Sequence, residues 1–341
     1  MDVFLTTPNK ASFIRHLQRH DHISPELAAT YYTEISTLLN SVNTVTEKNT
    51  EIKTLPAVPK IENAVHYAFG TTNLKINYGS LKLQNLIHPQ YSHTAGDDNK
   101  TSNTVVDIFE KDNLSYLFIN QAYIGQYSPS EYHLLQGQFS LQLINTLYNK
   151  TEADWIATFH ASTVCNAKEA IMIIGASGNG KSTLSAVLMA HGFDLLADDF
   201  TPLLAETKEL YRVPSGISIK EGAFEILEKL YPDFEQYPIY KSTSKAVPIK
   251  YIPPAQNFNS AVSHLPCTKI VYVNYDPTAT SHLKAVPTEK ILETLIPESW
   301  LSPLAPNAAL FLEWLQELTC YELTYADNAV AVSKFSELFK R

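Results

Sequence analysis

Apolar side chains recur along this chain with two different periods, and the change from one to the other divides it. Over residues 1–40 the spacing is helical: Leu27, Tyr31, Ile35 and Leu38 share one face, and Ser24 and Pro25 stand where an N-cap and first helical residue would. A helical hairpin or cap is expected there. Residues 41–54, SVNTVTEKNTEIKT, are polar, lack a period and precede Pro56 and Pro59, so they are expected to be a linker with a boundary near residue 55. From there the pattern turns to strands. Residues 66–77 and 104–127 are rich in β-branched and aromatic side chains, with a turn at Lys111, Asp112 and Asn113, and the polar 93–103 is expected as a surface loop. Ser128, Pro129 and Glu131 fit the N-cap, N1 and N3 places of a helix that carries Leu134, Leu135, Leu143, Ile144 and Leu147 toward a core. Beyond Asp154 the pattern predicts strand, loop, helix and strand, then a longer mixed stretch with two terminal helices.

These alternating elements define an α/β protein in three parts: a helical segment and linker over 1–55, a smaller α/β domain over 56–150, and a larger α/β domain over 151–341. The chain has 341 residues, 45% hydrophobic and 18% charged, ample for packed cores at about 150 residues per domain. A net charge of −9 gives no general attraction to nucleic acid or to an anionic membrane. Cys165, Cys267 and Cys320 have no metal-ligand spacing and are expected as reduced, buried thiols. The opening MDVFLTTPNKASF has no basic and apolar signal pattern, and no run of about 18 apolar residues occurs, so a cytoplasmic location is expected.

Candidate chemistry concentrates in residues 171–199, IMIIGASGNGKSTLSAVLMAHGFDLLADD. The apolar run 171–174 leads into G-x-x-x-x-G-K-S, a Walker A pattern, and a helical pattern follows it, which is the context the motif demands. Gly175, Ala176, Ser177, Gly178, Asn179 and Gly180 would curl the backbone so that its N–H groups face phosphate oxygens, with the positive end of the following helix behind them. Lys181 would neutralise the β- and γ-phosphates of ATP, the Ser182 hydroxyl would coordinate Mg²⁺, and Thr183 would add a phosphate contact. Gly192 is placed to end the helix, and 193–197 is expected as a buried strand delivering Asp198 and Asp199. Such a pair suits one carboxylate for metal and one to accept a proton, provided the strand bends or ends there, since successive residues of a strand face opposite ways.

The same segments, together with FHASTV over 159–164, VPSGISIKEGAF over 213–224, KYIPP over 250–254 and CYELTYAD over 320–327, resemble the HPr kinase family, and more closely its bacterial HPr-kinase-like serine kinases. The resemblance spans roughly residues 129–335. It implies a P-loop kinase domain with a mixed sheet of the HPr kinase and phosphoenolpyruvate carboxykinase type, ATP and Mg²⁺ as cofactors, and a serine-bearing acceptor: a peptide, a protein or free serine. It implies that Asp199 is the base, Asp198 holds metal, and His160 orients the aspartate or touches the γ-phosphate. The two aspartates could exchange roles. Lys220 and Lys250 are further candidates for anion contact. Where HPr kinases carry a glycine- and arginine-bearing segment with a metal-binding glutamate, this chain has GISIKEGAF with Glu221 the nearest acid, so their acceptor, ring assembly and reverse reaction are not carried over. A homo-oligomer is compatible with the resemblance. Two other classes stay open: a nucleotide-sensing module without catalysis, and a carboxykinase acting on oxaloacetate or phosphoenolpyruvate.

Overall fold

A computed structural model describes residues 9–43, 55–96, 101–241 and 247–340, with backbone alone over 38–43. The side chain of Leu38, residues 44–54 of the expected linker and residues 97–100 of the expected loop lie outside the described residues. The chain divides into two compact units, Met1–Ala57 and Val58–Arg341.

In the first unit α1 (Lys10–His20) and α2 (Pro25–Asn43) form a helical hairpin. Asn9 caps α1 by accepting from the Ser12 amide at 3.0 Å, and the Ser24 hydroxyl accepts from the Leu27 amide at 3.3 Å. Of the expected stripe Ile35 packs in the core, whereas the places of Leu27 and Tyr31 are taken by the residues one position later. Leu27 and Tyr31 are exposed, while Ala28 packs on Phe13 and Leu17 with Tyr32 and Ile35 alongside, because an alanine lets the two helices approach closely.

The second unit begins with a five-stranded sheet in the order β1 (Ala64–Phe69), β2 (Thr72–Tyr78), β3 (Thr104–Lys111), β4 (Leu114–Ile119) and β5 (Ala122–Tyr127). Only β2 and β3 run parallel, and α3 (Leu81–Tyr91) lies in the connection between them. The β3–β4 turn falls at Asp112 and Asn113, with φ of 51° and 60°, the paired left-handed conformation that matches strand twist. Helix α3 was not anticipated, because Pro89 sits inside it. Its start is fixed by Ser80, which accepts from the Leu83 amide, and Leu83, Leu86, Ile87 and Tyr91 are buried. The capping box at Ser128 forms, but it opens a 3-10 turn, Pro129–Glu131, before α4 (Tyr132–Tyr148) begins. Leu135, Leu143 and Ile144 reach the core as expected, whereas Leu134 stands exposed.

The remainder comprises β6 (Trp155–Phe159), β7 (Ser162–Cys165), β8 (Ala170–Ile174), α5 (Lys181–Ala190), β9 (Asp194–Ala197), β10 (Thr201–Leu204), β11 (Glu209–Tyr211), β12 (Ile217–Lys220), α6 (Phe224–Glu228), β13 (Tyr240–Lys241), β14 (Pro248–Ile252), β15 (His264–Tyr275), β16 (His282–Ala285), α7 (Thr288–Leu295), β17 (Ser299–Leu301), α8 (Ala305–Gln316), β18 (Thr319–Tyr325) and α9 (Asn328–Leu338). Three helices, α7, α8 and α9, occupy the last stretch where two were expected. Ten strands form a mixed sheet ordered β17-β6-β10-β11-β15-β8-β7-β9, with β18 on β15 and β16 on β18. Strand β15 runs parallel to β8 and β18, and the other pairs are antiparallel. Helices cover both faces. Met172 and Ile174 of β8 pack in the core of α7 and α8, and Ile171 and Ile173 in that of α5 and α9, which is why 171–174 is continuously apolar.

The register reveals a fork. β7 pairs with β9 and β6 pairs with β10, so the links β6–β7, at His160 and Ala161, and β9–β10, at residues 198–200, cross side by side from one half of the sheet to the other. The Thr163 and Thr201 hydroxyls meet at 3.1 Å, and Thr201 donates to the Ala161 carbonyl at 3.0 Å, tying the crossing together.

All three cysteines are free and buried. Among the described residues no helix is long and apolar enough to cross a membrane.

Beside the fork, buried Arg212 pairs with Asp194 and donates to the Leu195 carbonyl and, at 2.8 Å, to the Val262 carbonyl. Removing the carboxylate leaves the guanidinium charge uncompensated in the interior. Asp194→Ala is expected to cost about 3 kcal/mol in urea unfolding, and an unchanged midpoint would show that the carbonyls alone satisfy Arg212.

Candidate active site

The glycine-rich segment joins the end of β8 to the start of α5. Gly175 ends the strand against its parallel neighbour, where an added Cβ would lie 2.7 Å from the Val273 carbonyl, so no larger residue fits without moving backbone. Gly180 immediately precedes the helix with φ of 87°, a left-handed conformation costly for other residues. Between them, Asn179 leans on β15, its amide 3.4 Å from the Val273 carbonyl and 3.5 Å from the Tyr272 hydroxyl. The first turn of α5 therefore presents unpaired backbone N–H groups at a fixed place. Lys181 is buried and donates to the Gly175 carbonyl at 2.7 Å, closing the loop on itself.

This turn opens on a cavity of about 410 Å³ lined by Ser177, Gly178, Gly180, Lys181, Ser182 and Thr183 of the loop and helix, and by His160, Asp199 and Lys220 across from them. Gly175, Ala176 and Asn179 shape the loop without lining the cavity. Tyr275 and Tyr325, with ring centroids 5.4 Å apart, and Asn328 close another side.

The acid pair is split by its backbone. Asp198 directly follows β9 and is 3% exposed; Ser162 donates to one oxygen and the Ser218 amide to the other, the latter at 3.3 Å. Asp199 has φ of 60°, in the left-handed region where an aspartate is tolerated, and is exposed. That single conformation bends the chain after β9, and both carboxylates line a second cavity although they are chain neighbours. Burial, and then the Asp199 charge, raise the Asp198 carboxyl above its ordinary range, against hydrogen bonds from Ser162, the Ser218 amide and Ser182.

His160 is exposed on the other crossing link and lines the same cavity as Asp199. Lys220 lines that cavity too. Lys250 does not: register places Ser218 opposite Tyr251, so Lys250 points to the other side of β14, donating to the Phe234 carbonyl at 2.7 Å with its ammonium 4.7 Å from the Phe234 ring centroid. It is a packing residue.

Three participants were not singled out from sequence. Ser162 and Ser218 hold Asp198, and half-buried Tyr251 faces the pair, its hydroxyl pushed up to about 12 by burial and then by the Asp199 charge. The signal existed for Ser218, since Ile217 and Ile219 are buried and the period of two turns Ser218 and Lys220 toward the site. For Ser162 and Tyr251 it did not, because their relevance depends on which strands pair.

A hydroxyl at Ser182 beside the Asp198 carboxylate is a pair of hard oxygen donors, a set that fits Mg²⁺ shared with phosphate oxygens. Among the described residues no group of three or more His, Cys, Asp or Glu gathers as a metal cage.

No protein-family model matches the chain, and no curated protein matches it. Among solved structures it is similar to the Hpr(Ser) kinase/phosphatase from Coxiella burnetii, at 13% identity over 54% of this chain and 97% of that one, with a TM-score of 0.27. A likeness of that degree bears no functional weight, which rests on the geometry alone.

The raised Asp198 value means the folded chain binds that proton more tightly than the unfolded chain. Stability therefore falls as pH climbs from the ordinary carboxylate range, about pH 4, and the loss is complete once the raised native value is passed. Asp198→Asn cannot ionise. In metal-free buffer its melting temperature is expected to exceed that of the wild type at neutral pH, by about 2–4 °C for each kcal/mol gained, and the difference to close toward acid. Equal melting temperatures across the range would contradict the burial of an ionised Asp198.

Proposed function

We propose that this chain is a P-loop kinase that transfers the γ-phosphate of ATP, with Mg²⁺, to a serine hydroxyl. The observation that carries the reading is the position of Asp199. It lines the cavity of Lys181 and Ser182 and also a second cavity, and one exposed carboxylate shared by two cavities supports a base set between nucleotide and acceptor.

In this reading the backbone N–H groups between Gly178 and Thr183 bind the β- and γ-phosphates, and Lys181 moves from the Gly175 carbonyl onto them. Ser182 and Asp198 would hold Mg²⁺, which would supply charge neutralisation to the phosphate oxygens. The acceptor hydroxyl gives its proton to Asp199 as its oxygen bonds to the γ-phosphorus. The bond from that phosphorus to the β–γ bridging oxygen breaks, ADP leaves with the electron pair, and Asp199 returns the proton to solvent. His160, beside Asp199 at the fork, contacts the transferring group. Little covalent chemistry is asked of the protein; positioning and charge supply the acceleration. Tyr275, exposed at the rim with Tyr325 behind it, offers an aromatic face for the base.

Two variants test the assignment. Asp199→Asn keeps the loop intact, so Mg²⁺–ATP affinity by calorimetry is expected to hold while transfer to a seryl acceptor falls by about 10²–10⁴; full transfer by this variant would remove Asp199 as base. Lys181→Ala is expected to weaken nucleotide binding itself. ATP binding by the wild type with no transfer to any hydroxyl would favour a sensor.

A further inference from the structure

The second cavity has a volume of about 610 Å³, within the range that holds a drug-sized ligand, and shares His160, Asp199 and Ser218 with the first. It lies where the five-stranded sheet's helices meet the mixed sheet: α3 and α4 contribute Tyr91 and Gly137, and the opposite wall carries Ser215 and Trp300. Three features of this wall point to an occupant.

The charges of the two cavities are segregated. Lys181 and Lys220 line the first, as an anion site requires. The second has no lysine or arginine in its lining and carries Glu298 and Asp199, besides the Asp198 that the kinase reading gives to Mg²⁺. An anionic molecule placed there would meet like charge and no counter-charge beyond two histidines, whereas a cationic or neutral one would not be repelled. Next, Ser215 is 4% exposed and its hydroxyl lacks a hydrogen-bond partner among the described residues. Buried hydroxyls are nearly always paired, so this one marks a wall whose polar groups are not all satisfied by the protein itself. Last, Gly137 lies inside a helix, where glycine costs about 1 kcal/mol relative to alanine, yet a Cβ built on it meets nothing within 4 Å. The space in front of α4 is open.

We infer that this second cavity is the acceptor site of the kinase reading above, on which the inference rests, and that it takes an alcohol borne on a cationic or uncharged, partly aromatic body in preference to an anionic one. Tyr91, Phe159, Phe200, Tyr251 and Trp300 supply the aromatic wall, and Asp199 stands at the cavity's junction with the nucleotide site. A seryl residue within a peptide and a small amino alcohol share this chemistry. Free serine, with its carboxylate beside the hydroxyl, is a poor fit.

The test measures kcat/KM for phosphoryl transfer from Mg²⁺–ATP to two sets of probes. The peptide arm is acetyl-Arg-Ser-Phe-amide, acetyl-Gln-Ser-Phe-amide and acetyl-Glu-Ser-Phe-amide; the small-molecule arm is phenylalaninol and phenyllactate. In whichever arm is phosphorylated, the cationic member is expected to exceed the anionic one by about tenfold or more, and the responding arm identifies the source. Gly137→Leu, which fills the open space, is expected to lower transfer by about tenfold or more with Mg²⁺–ATP affinity unchanged. Should the leucine variant misfold, Glu298→Gln, at an exposed position, decides: it narrows the advantage of the cationic probe over the neutral one. The inference is overturned if the anionic probes are preferred, if a folded Gly137→Leu protein transfers like wild type, if Glu298→Gln leaves the preference intact, or if a chain that binds Mg²⁺–ATP phosphorylates none of the probes. Failure to bind Mg²⁺–ATP at all tells instead against the kinase reading.

Discussion

The Asp198 carboxylate is 3% exposed, has another carboxylate as its chain neighbour, and is held by donors from two separate strands, the Ser162 hydroxyl and the Ser218 amide. Burying a carboxylate is costly unless its oxygens are paired, so these strands must come together for the position to exist. β7 brings Ser162 through its pairing with β9, and β12 brings Ser218 from a separate three-stranded sheet ordered β12-β14-β13. The fork follows from the same requirement. Where two adjacent links leave one half of the sheet together, the ladder is interrupted, and the freed groups are met by side chains such as Thr201. Asp199 then projects the other way because its backbone enters the left-handed region at φ of 60°. One buried and one exposed carboxylate result from a single turn, with different neighbours.

That division extends outward. On one side of Asp199 lie the glycine loop and two lysines; on the other lie aromatic rings, acids and the helices of residues 81–148. The five-stranded sheet is thereby more than an appendage. Its flanking helices are fastened to the segment between β11 and β12 by the Gly216 amide, which donates to the Gln90 carbonyl at 2.7 Å, and by the Tyr148 hydroxyl, which donates to the Arg212 carbonyl at 2.7 Å. These bonds hold the walls of the second cavity at fixed separation, and a site assembled from two rigid halves needs such ties.

Much of this was legible in the sequence where local chemistry decides. The strand, glycine loop and helix over 170–190, the end of that helix at Gly192 and the capping box at Ser128 all depend on near neighbours. So does the Asp112–Asn113 turn. The apolar stripe of α2 was misplaced at Leu27 and Tyr31 because which helix face is buried depends on a partner, and Ala28 carries no strong signal by itself. Helix α3 was missed since Pro89 argues against a helix locally, whereas burial of Leu83, Ile87 and Tyr91 outweighs it. The roles of Ser162, Ser218 and Tyr251, and the packing of Lys250, needed strand register, which links residues far apart in sequence and leaves no trace in local composition.

The central claim is that the backbone between Gly178 and Thr183 seats phosphate within reach of Asp199. Amide hydrogen exchange with and without Mg²⁺–ATP reads those N–H groups directly. The account predicts slowed exchange at Gly178 to Thr183 on nucleotide addition, with Asp198 and Asp199 following, and little change in α1 and α2. Unaltered exchange through the loop at saturating nucleotide, or protection confined to a different part of the chain, would contradict it.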